Sequence, residues 1–257
     1  MKRFMFRVLA ACLFITIAAV PLSNASAQQA SNLTDIGSVA SFRDGRTLLP
    51  ADGRELRLAA VDVPDNSRGA LQSLVSDREL QMKQLSPELD RYRRLVVFAY
   101  AGDSQQPVQQ TLLEQGRARA LARVGNKACA DLLLAAEHAA RTARLGLWAD
   151  PNFAPLRPEN PERVAAARGQ FALVEGKVLS ARESGATIYL NFGRRRTHEF
   201  TVTILKRHRR AFATAGIDPK RLEGSPIRVR GWIEQRHGPV IEAATPEQMS
   251  SLSEGTL

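Results

Sequence analysis

The sequence predicts a mostly β protein with helices (α+β), in which a proline-rich linker joins two small five-stranded barrels. Two observations predict this: there are two sets of short β-prone segments with helices, and the segment between them has four prolines in eleven residues, from Pro151 to Pro161. Proline fixes φ and has no N–H, so this segment cannot continue a helix or a central strand. The composition, 44% hydrophobic and 24% charged, is typical of globular proteins, and two cysteines are too few for a disulfide scaffold.

The first 27 residues have the pattern of an export signal. Three basic residues at positions 2, 3 and 7 precede an apolar run over residues 8–20, and small residues follow at 25–27. We therefore expect a signal peptide at 1–27 and an exported chain, periplasmic or secreted, that begins near Gln28. The apolar run is short for a bilayer span. Two alternatives stay open, an uncleaved anchor and a lipoprotein with its lipid on Cys12.

The elements of the first module follow from local patterns. Apolar β-prone runs predict strands, Asp–Gly pairs predict turns, and amphipathic runs that end at glycine predict helices. We expect strands at 36–42, 46–50, 54–61 and 95–100, and helices at 67–77, 108–115 and 130–145.

The second module has the strand order of a known barrel type. We expect strands at 171–180, 186–192, 199–204, 227–234 and 240–243, with a basic helix at 206–215. This order, β-β-β-α-β-β, is that of an OB-type barrel. The predicted domains are therefore 28–150, a linker at 151–168, a basic domain at 169–245 and a flexible tail at 246–257.

Five motifs of the first module identify a family by their order and spacing. They are Asp44–Thr47, Arg57–Asp65, Asp90–Leu95, Leu113–Ala118 and Glu137–Trp148. Together they resemble the thermonuclease (staphylococcal nuclease-like) family over about residues 36–150. The resemblance implies an OB-type barrel with helices, Ca²⁺ as cofactor and endonucleolytic hydrolysis of phosphodiester bonds.

The resemblance also implies roles for single residues. Arg57 and Arg94 match the family's two phosphate-binding arginines, and Asp65 stands where the family has its catalytic glutamate. Asp62 and Asp44 match aspartates of the calcium site. The chemistry is consistent, because guanidinium groups bind phosphate oxygens in a planar, bidentate manner and a cation held by carboxylates positions a water.

Three residues depart from the family pattern. Arg46 stands where the family has its other calcium-binding aspartate, Val63 lacks the oxygen of the usual threonine, and Asp65 is one methylene shorter than glutamate. A guanidinium within about 4 Å of Asp62 would neutralise this carboxylate without any cation. We therefore expect an eroded metal site and weak or lost phosphodiesterase activity.

Basic and aromatic residues predict binding to DNA or RNA, in single-stranded form. Residues 28–150 hold 16 Lys+Arg against 15 Asp+Glu, whereas residues 151–257 hold 17 against 11. Basic grooves with aromatic faces hold single strands without sequence preference. The predicted binding residues are Arg91, Tyr92, Arg194, Arg195, Arg196, Lys206, Arg207, Arg209 and Arg210. In the alternative interpretation, Phe192, Phe200 and Trp232 fill the core of the barrel and these arginines are only solvated.

Three functions remain open at this point. The chain is an active exported nuclease, a catalytically silent nucleic-acid-binding protein with two barrels, or an envelope protein that binds acidic polymers or lipid headgroups through its basic module. The sequence indicates no obligate protein partner.

Overall fold

In this computed structural model, the described residues are 33–194 and 199–252. The predicted signal peptide lies outside them, as do Arg195, Arg196 and residues 253–257 of the predicted tail. Within the described ranges, no helix combines the length and the apolar character that crossing a lipid bilayer requires.

The first barrel is built around a curled sheet. Six strands form this sheet in the order β1-β6-β7-β4-β3-β2, in which only β4 and β7 run parallel, and a separate pair joins β5 to β8. β6 was not predicted, although Leu80 and Met82 alternate into the core as a half-buried strand requires. The bounds are β1 (Thr34–Gly37), β2 (Val39–Asp44), β3 (Thr47–Pro50), β4 (Leu56–Leu58), β5 (Val61–Asp62), β6 (Leu80–Gln84), β7 (Leu95–Ala101) and β8 (Arg119–Ala120).

Helices cover the first barrel and connect it to the second. α3 begins three residues earlier than predicted, because the Asn126 side chain accepts the N–H of Cys129 at 3.1 Å and caps the helix there. The α-helices of the described ranges are α1 (Arg68–Val75), α2 (Val108–Glu114), α3 (Lys127–Thr142), α4 (Pro161–Ala166) and α5 (Arg209–Thr214). The 3₁₀ turns are Asp65–Ser67, Gly146–Ala149, Pro151–Phe153, Lys206–His208, Pro219–Leu222 and Pro246–Gln248.

Two glycines let the ends of α2 and α3 meet backbone to backbone. A Cβ atom on Gly116 would lie 2.1 Å from the Leu145 carbonyl oxygen, and one on Gly146 would lie 2.4 Å from the Gly116 oxygen. Both glycines also have positive φ, which other residues adopt at a cost. This contact fixes the chain that leads from Gly116 into β8.

The second barrel has two curled sheets. The larger one has the order β10-β11-β12-β15-β14 and the smaller one β16-β13-β9. The predicted order β-β-β-α-β-β is present, with β9 and β10 together in place of the first strand, and the mixed α+β fold agrees with OB-type barrels. The bounds are β9 (Phe171–Lys177), β10 (Ser180–Ser184), β11 (Thr187–Asn191), β12 (Thr201–Leu205), β13 (Pro226–Trp232), β14 (Glu234–Gln235), β15 (Pro239–Glu242) and β16 (Met249–Ser251).

The proline-rich segment and the C-terminal residues both carry regular structure. Leu156 is buried and pairs with β9, donating its N–H to the Leu173 oxygen at 2.8 Å and accepting the N–H of Glu175 at 2.9 Å. Residues 249–251, which we expected in a flexible tail, instead form β16 along the edge of β13, where Met249 is buried. Three residues are too few for a periodic signal in the sequence.

Buried ion pairs hold the two barrels together. Arg230 of β13 lies 2.7 Å from Glu137 of α3, and both side chains are almost fully buried. Glu175 of β9 is also buried and binds Arg228 at 2.5 Å, with Arg141 of α3 at 4.0 Å. Burial lowers the pKa of Arg141, and the charge of Arg228 adds to this effect.

Candidate functional site

A tight turn between β2 and β3 carries the first residues of the site. This turn lies against the end of β5, where a Cβ atom on Gly45 would be 3.0 Å from the Val63 carbonyl oxygen. Asp44 Oδ1 accepts the backbone N–H of Arg46 at 2.8 Å and so shapes the turn. The turn therefore places the Arg46 side chain beside β5.

Asp44 and Arg57 form a half-buried pair at this end of the sheet. Arg57 Nη1 donates to Asp44 Oδ2 at 3.0 Å and to Thr47 Oγ1 at 3.2 Å. Burial would raise the pKa of Asp44, but the hydrogen bonds from Arg46 and Thr47 and the charge of Arg57 together lower it.

Arg57 lies among like charges. Burial lowers its pKa to about 10, and the positive charges of Arg46 and Arg94 act in the same direction, against the charge of Asp44. The guanidinium of Arg57 is still protonated at neutral pH. Three guanidinium groups close enough to affect one another make a site that favours an anion.

Two arginines enclose the carboxylate of Asp62. Arg46 Nη1 donates to Asp62 Oδ1 at 3.1 Å, and Arg119 Nη2 and Nε donate to Oδ2 at 2.6 and 3.2 Å. Asp62 is 7% exposed. Both of its oxygens are therefore occupied by guanidinium groups from within the chain.

Arg94 is held by its own loop. Its Nε and Nη2 donate to Asp90 Oδ2 at 2.8 and 2.7 Å, while Asp90 Oδ1 accepts the N–H groups of Tyr92 and Arg94. The exposed ring of Tyr92 contacts two guanidinium groups, with its centroid 4.8 Å from Arg91 Cζ and 4.9 Å from Arg94 Cζ. An aromatic face flanked by cations is suited to a nucleotide base next to a phosphate.

Asp65 stands apart from these ion pairs. It is exposed at the start of its 3₁₀ turn, and among the described residues its carboxylate has no hydrogen-bond or ion-pair partner. The structure thus brings Asp44, Arg46, Arg57 and Asp62 together and leaves the carboxylate of Asp65 free.

Comparison with known families agrees with this geometry. Residues 55–150 match the family model described as staphylococcal nuclease homologue. Over these residues the chain is similar to this family. The matched range includes Arg57, Asp62 and Arg94, whereas the turn that carries Arg46 precedes it. No curated protein matches the sequence. The family recognition made from the motifs is confirmed.

The donor atoms present at this site do not fit Ca²⁺. Calcium takes about six to eight oxygen ligands, mostly from carboxylates and carbonyls. Among the described residues, no group of three or more His, Cys, Asp or Glu side chains could hold a metal ion. The carboxylate oxygens of Asp44 and Asp62 instead accept hydrogen bonds from arginines in ion pairs, at 3.0 Å and 2.6 Å at closest.

The basic residues predicted on the second barrel separate into different places. Lys206 pairs with Glu183 at 2.6 Å, and Arg209 is exposed on α5. Arg207 and Arg210 line a cleft of about 630 Å³ opposite Lys127 and the loop that precedes it. Arg194 lines another cleft, beside β10.

The aromatic residues of the second barrel divide between core and surface. Phe192 and Phe200 are buried with ring centroids 5.1 Å apart, so for these two the alternative interpretation is correct and they fill the core. Trp232 is 42% exposed and contacts Phe171 edge to face at 6.0 Å. Tyr189 is half-buried and lines a cleft on the outer face of the larger sheet.

Arg119 is the site residue that sequence reasoning missed. It lies directly opposite Asp62 in the β5–β8 pair, and its guanidinium also stacks on Phe171 of the second barrel at 5.3 Å. The alternation of large and small residues from Arg117 to Ala120 was a signal for a short strand. Its pairing with a strand 57 residues away was not visible in the sequence.

Proposed function

We propose that this chain is an exported thermonuclease-type protein that binds single-stranded nucleic acid without a resident cation and whose phosphodiesterase activity is weak or absent. The observation that carries the proposal is the Asp62 carboxylate, which is closed on both sides by Arg46 and Arg119. Arg57 and Arg94 are the phosphate-binding groups of this proposal, because guanidinium groups form charge-assisted hydrogen bonds to phosphate oxygens. Arg94 would donate through Nη1, since its Nε and Nη2 are bonded to Asp90.

The charges support anion binding without metal. In the family pattern a divalent cation offsets several carboxylates and the phosphate. Here the positive charge of Arg46 replaces that of the cation beside Asp62. Arg57 uses only Nη1 for its bonds to Asp44 and Thr47, so its Nε and Nη2 groups can donate to a phosphate.

The same arrangement supports slow chemistry. Hydrolysis needs a positioned water as well as charge stabilisation, and misplacement by about 1 Å costs on the order of 100-fold in rate. Asp65 is shorter than glutamate, is exposed, and has no partner in the described part of the chain that fixes its carboxylate. Without a cation, no other side chain that the site's description includes, within residues 33–194 and 199–252, is placed to orient a water.

Binding of a fluorescein-labelled 20-nucleotide single strand, DNA or RNA, tests this proposal. We expect equal affinity with Ca²⁺ and with chelator. We expect about 10- to 150-fold weaker binding in Arg57→Ala, which corresponds to a lost charge-assisted contact of about 1.5–3 kcal/mol. Arg54→Ala is the matched control, because Arg54 is nearby on the same hairpin but pairs only with exposed Asp52. Equal binding by the two variants would contradict the proposal.

Export is proposed on the basis of residues 1–27. Expression in a bacterial host with fractionation, followed by mass determination of the N-terminus, tests it. A mature N-terminus near Gln28 supports cleavage, and a lipid mass on Cys12 supports the lipoprotein alternative. An intact N-terminus in the cytoplasmic fraction would contradict export.

A further inference from the structure

The outer face of the larger sheet in the second barrel carries polar side chains and a cleft. Alternate residues of β11 and β12 are fully buried in the core: Ile188, Leu190, Val202 and Ile204. The residues between them lie on the opposite face, because side chains alternate along a strand. The register pairs Tyr189 with Thr203 and Asn191 with Thr201, so these four side chains form a two-by-two grid.

A turn covers part of this grid and makes a cleft of about 400 Å³. The turn between β14 and β15 contributes Arg236, His237 and Gly238, and Ser184 lies at the opposite edge. Arg236 is fixed by Glu242 at 3.0 Å and Glu234 at 3.1 Å. The hydrogen bond to Glu242 raises the pKa of Arg236, so its charge is permanent. The cleft wall is therefore anchored to the sheet.

One polar group in the cleft has no partner. Thr203 is 3% exposed, and within the described part of the chain its Oγ1 has no hydrogen-bond partner. Its neighbours on the grid are paired, since Thr201 Oγ1 donates to Asn191 Oδ1 at 3.4 Å and Asn191 Nδ2 donates to Ser180 Oγ at 3.0 Å. A buried unpaired hydroxyl destabilises a fold, so its place in a cleft points to a ligand that supplies the missing bond.

A second cleft of about 400 Å³ adjoins the first. The two share Asn191, and the second is lined by the exposed Arg182 and Arg194. Arg182 lies directly opposite Tyr189 in the β10–β11 register and so on the same face. Among the described residues Arg182 has no ion-pair partner. Its charge is available to an anion beside the tyrosine ring.

We propose that these adjoining clefts form a second binding site for single-stranded nucleic acid, separate from the arginines of the first barrel. A base stacks on Tyr189 and hydrogen-bonds to Thr203, and the neighbouring phosphate binds Arg182 and Arg194. An aromatic face with hydroxyl groups alone would also suit a neutral sugar, but the two arginines favour a phosphate backbone. In OB barrels this sheet face and its flanking loops bind oligomers of either kind.

Variants of the full chain test the site with a 5′-fluorescein hexathymidylate as the probe. We expect Tyr189→Ala to weaken binding by about 5- to 150-fold, the range of base stacking on an aromatic ring, and Tyr189→Phe to bind nearly as the parent does. Arg182→Ala should lower the slope of log K against log salt by about 0.7. Arg221→Ala, an exposed arginine of the same barrel, is the matched control.

Two further measurements separate this site from the first barrel. A hexanucleotide with 5-iodouracil should cross-link on irradiation to the β11 peptide that contains Tyr189, also in an Arg57→Ala background. If only the first-barrel proposal is wrong, this cross-link should still form. If the present proposal is wrong, no cross-link to the β11 peptide should form. Equal binding of Tyr189→Ala and parent, equal losses in Tyr189→Ala and Tyr189→Phe, or displacement of the probe by a neutral oligosaccharide would overturn the proposal.

Discussion

Replacing Asp62 by asparagine distinguishes a role as cation ligand from a role as ion-pair partner, because the two roles predict opposite changes in the affinity for nucleic acid. If this carboxylate is needed for a cation, its loss weakens binding of nucleic acid. If it neutralises Arg46 and Arg119, as the 3.1 and 2.6 Å distances indicate, Asp62→Asn releases two guanidinium groups. The net charge of the cluster then rises by one, and we predict tighter binding of a single-stranded oligonucleotide.

The magnitudes follow from charge and burial. One added charge about 4 Å from a phosphate in water is worth about 1 kcal/mol, or about fivefold in affinity. Breaking a buried ion pair costs about 3–5 kcal/mol. The side chains of Arg46 and Arg119 are 20% and 14% exposed, and the asparagine side chain still accepts a hydrogen bond. We therefore expect a loss of about 2–3 kcal/mol in the free energy of unfolding.

Two assays on one preparation test this prediction. Fluorescence anisotropy with a 20-nucleotide single strand should show tighter binding at each salt concentration, and urea unfolding should show lower stability. Asp52→Asn makes the same charge change at an exposed pair with Arg54 and should alter neither quantity measurably. Weaker binding by folded Asp62→Asn, with calcium present, would refute the reasoning.

Three other predictions concern stability. Arg230→Ala leaves the carboxylate of Glu137 buried without its ion-pair partner, so urea unfolding should show a free energy of unfolding lower by about 3–5 kcal/mol, partly recovered when Glu137→Leu is added. A decrease below about 1 kcal/mol would show that this pair does not hold the barrels together. Hydrogen bonds from two lysines lower the pKa of Glu183 to about 2, so the stability that it contributes is present above its ordinary pKa and is lost as the pH falls toward 2. In Glu183→Gln the melting temperature should therefore depend less on pH in this range, and the same pH dependence as in the parent would argue against the ion pairs. Gly116→Ala should lower the free energy of unfolding by more than the roughly 1 kcal/mol expected of Gly53→Ala, because both glycines have positive φ but, of these two, only at Gly116 would a Cβ meet backbone atoms. Equal melting temperatures of the two variants would contradict this prediction.

Much of the fold was visible in local patterns. The strand at 95–101 and the helix at 108–114 lie within one residue of their predicted bounds, because a continuous apolar run and a glycine stop are strong local signals. β16 was missed, since a three-residue strand exists only through its pairing with β13. The pairing of Leu156 with β9 was missed for the same reason.

The site could be predicted only in part. The position of Arg46 in its motif suggested that its guanidinium neutralises Asp62, and in the structure Arg46 Nη1 lies 3.1 Å from Asp62 Oδ1. Arg119 could not be assigned, because its contact with Asp62 depends on two-residue strands brought together by the packing of Gly116 against Gly146. The clefts beside Tyr189 depend on sheet register, which periodicity alone does not give.

The most direct test of the central claim is the metal dependence of cleavage and binding of labelled single-stranded DNA and RNA. It compares the parent protein with Arg46→Asp, each in Ca²⁺ and in chelator. We predict that the parent binds equally in both conditions and does not cleave above background in either. Calcium-dependent cleavage by the parent would contradict the account.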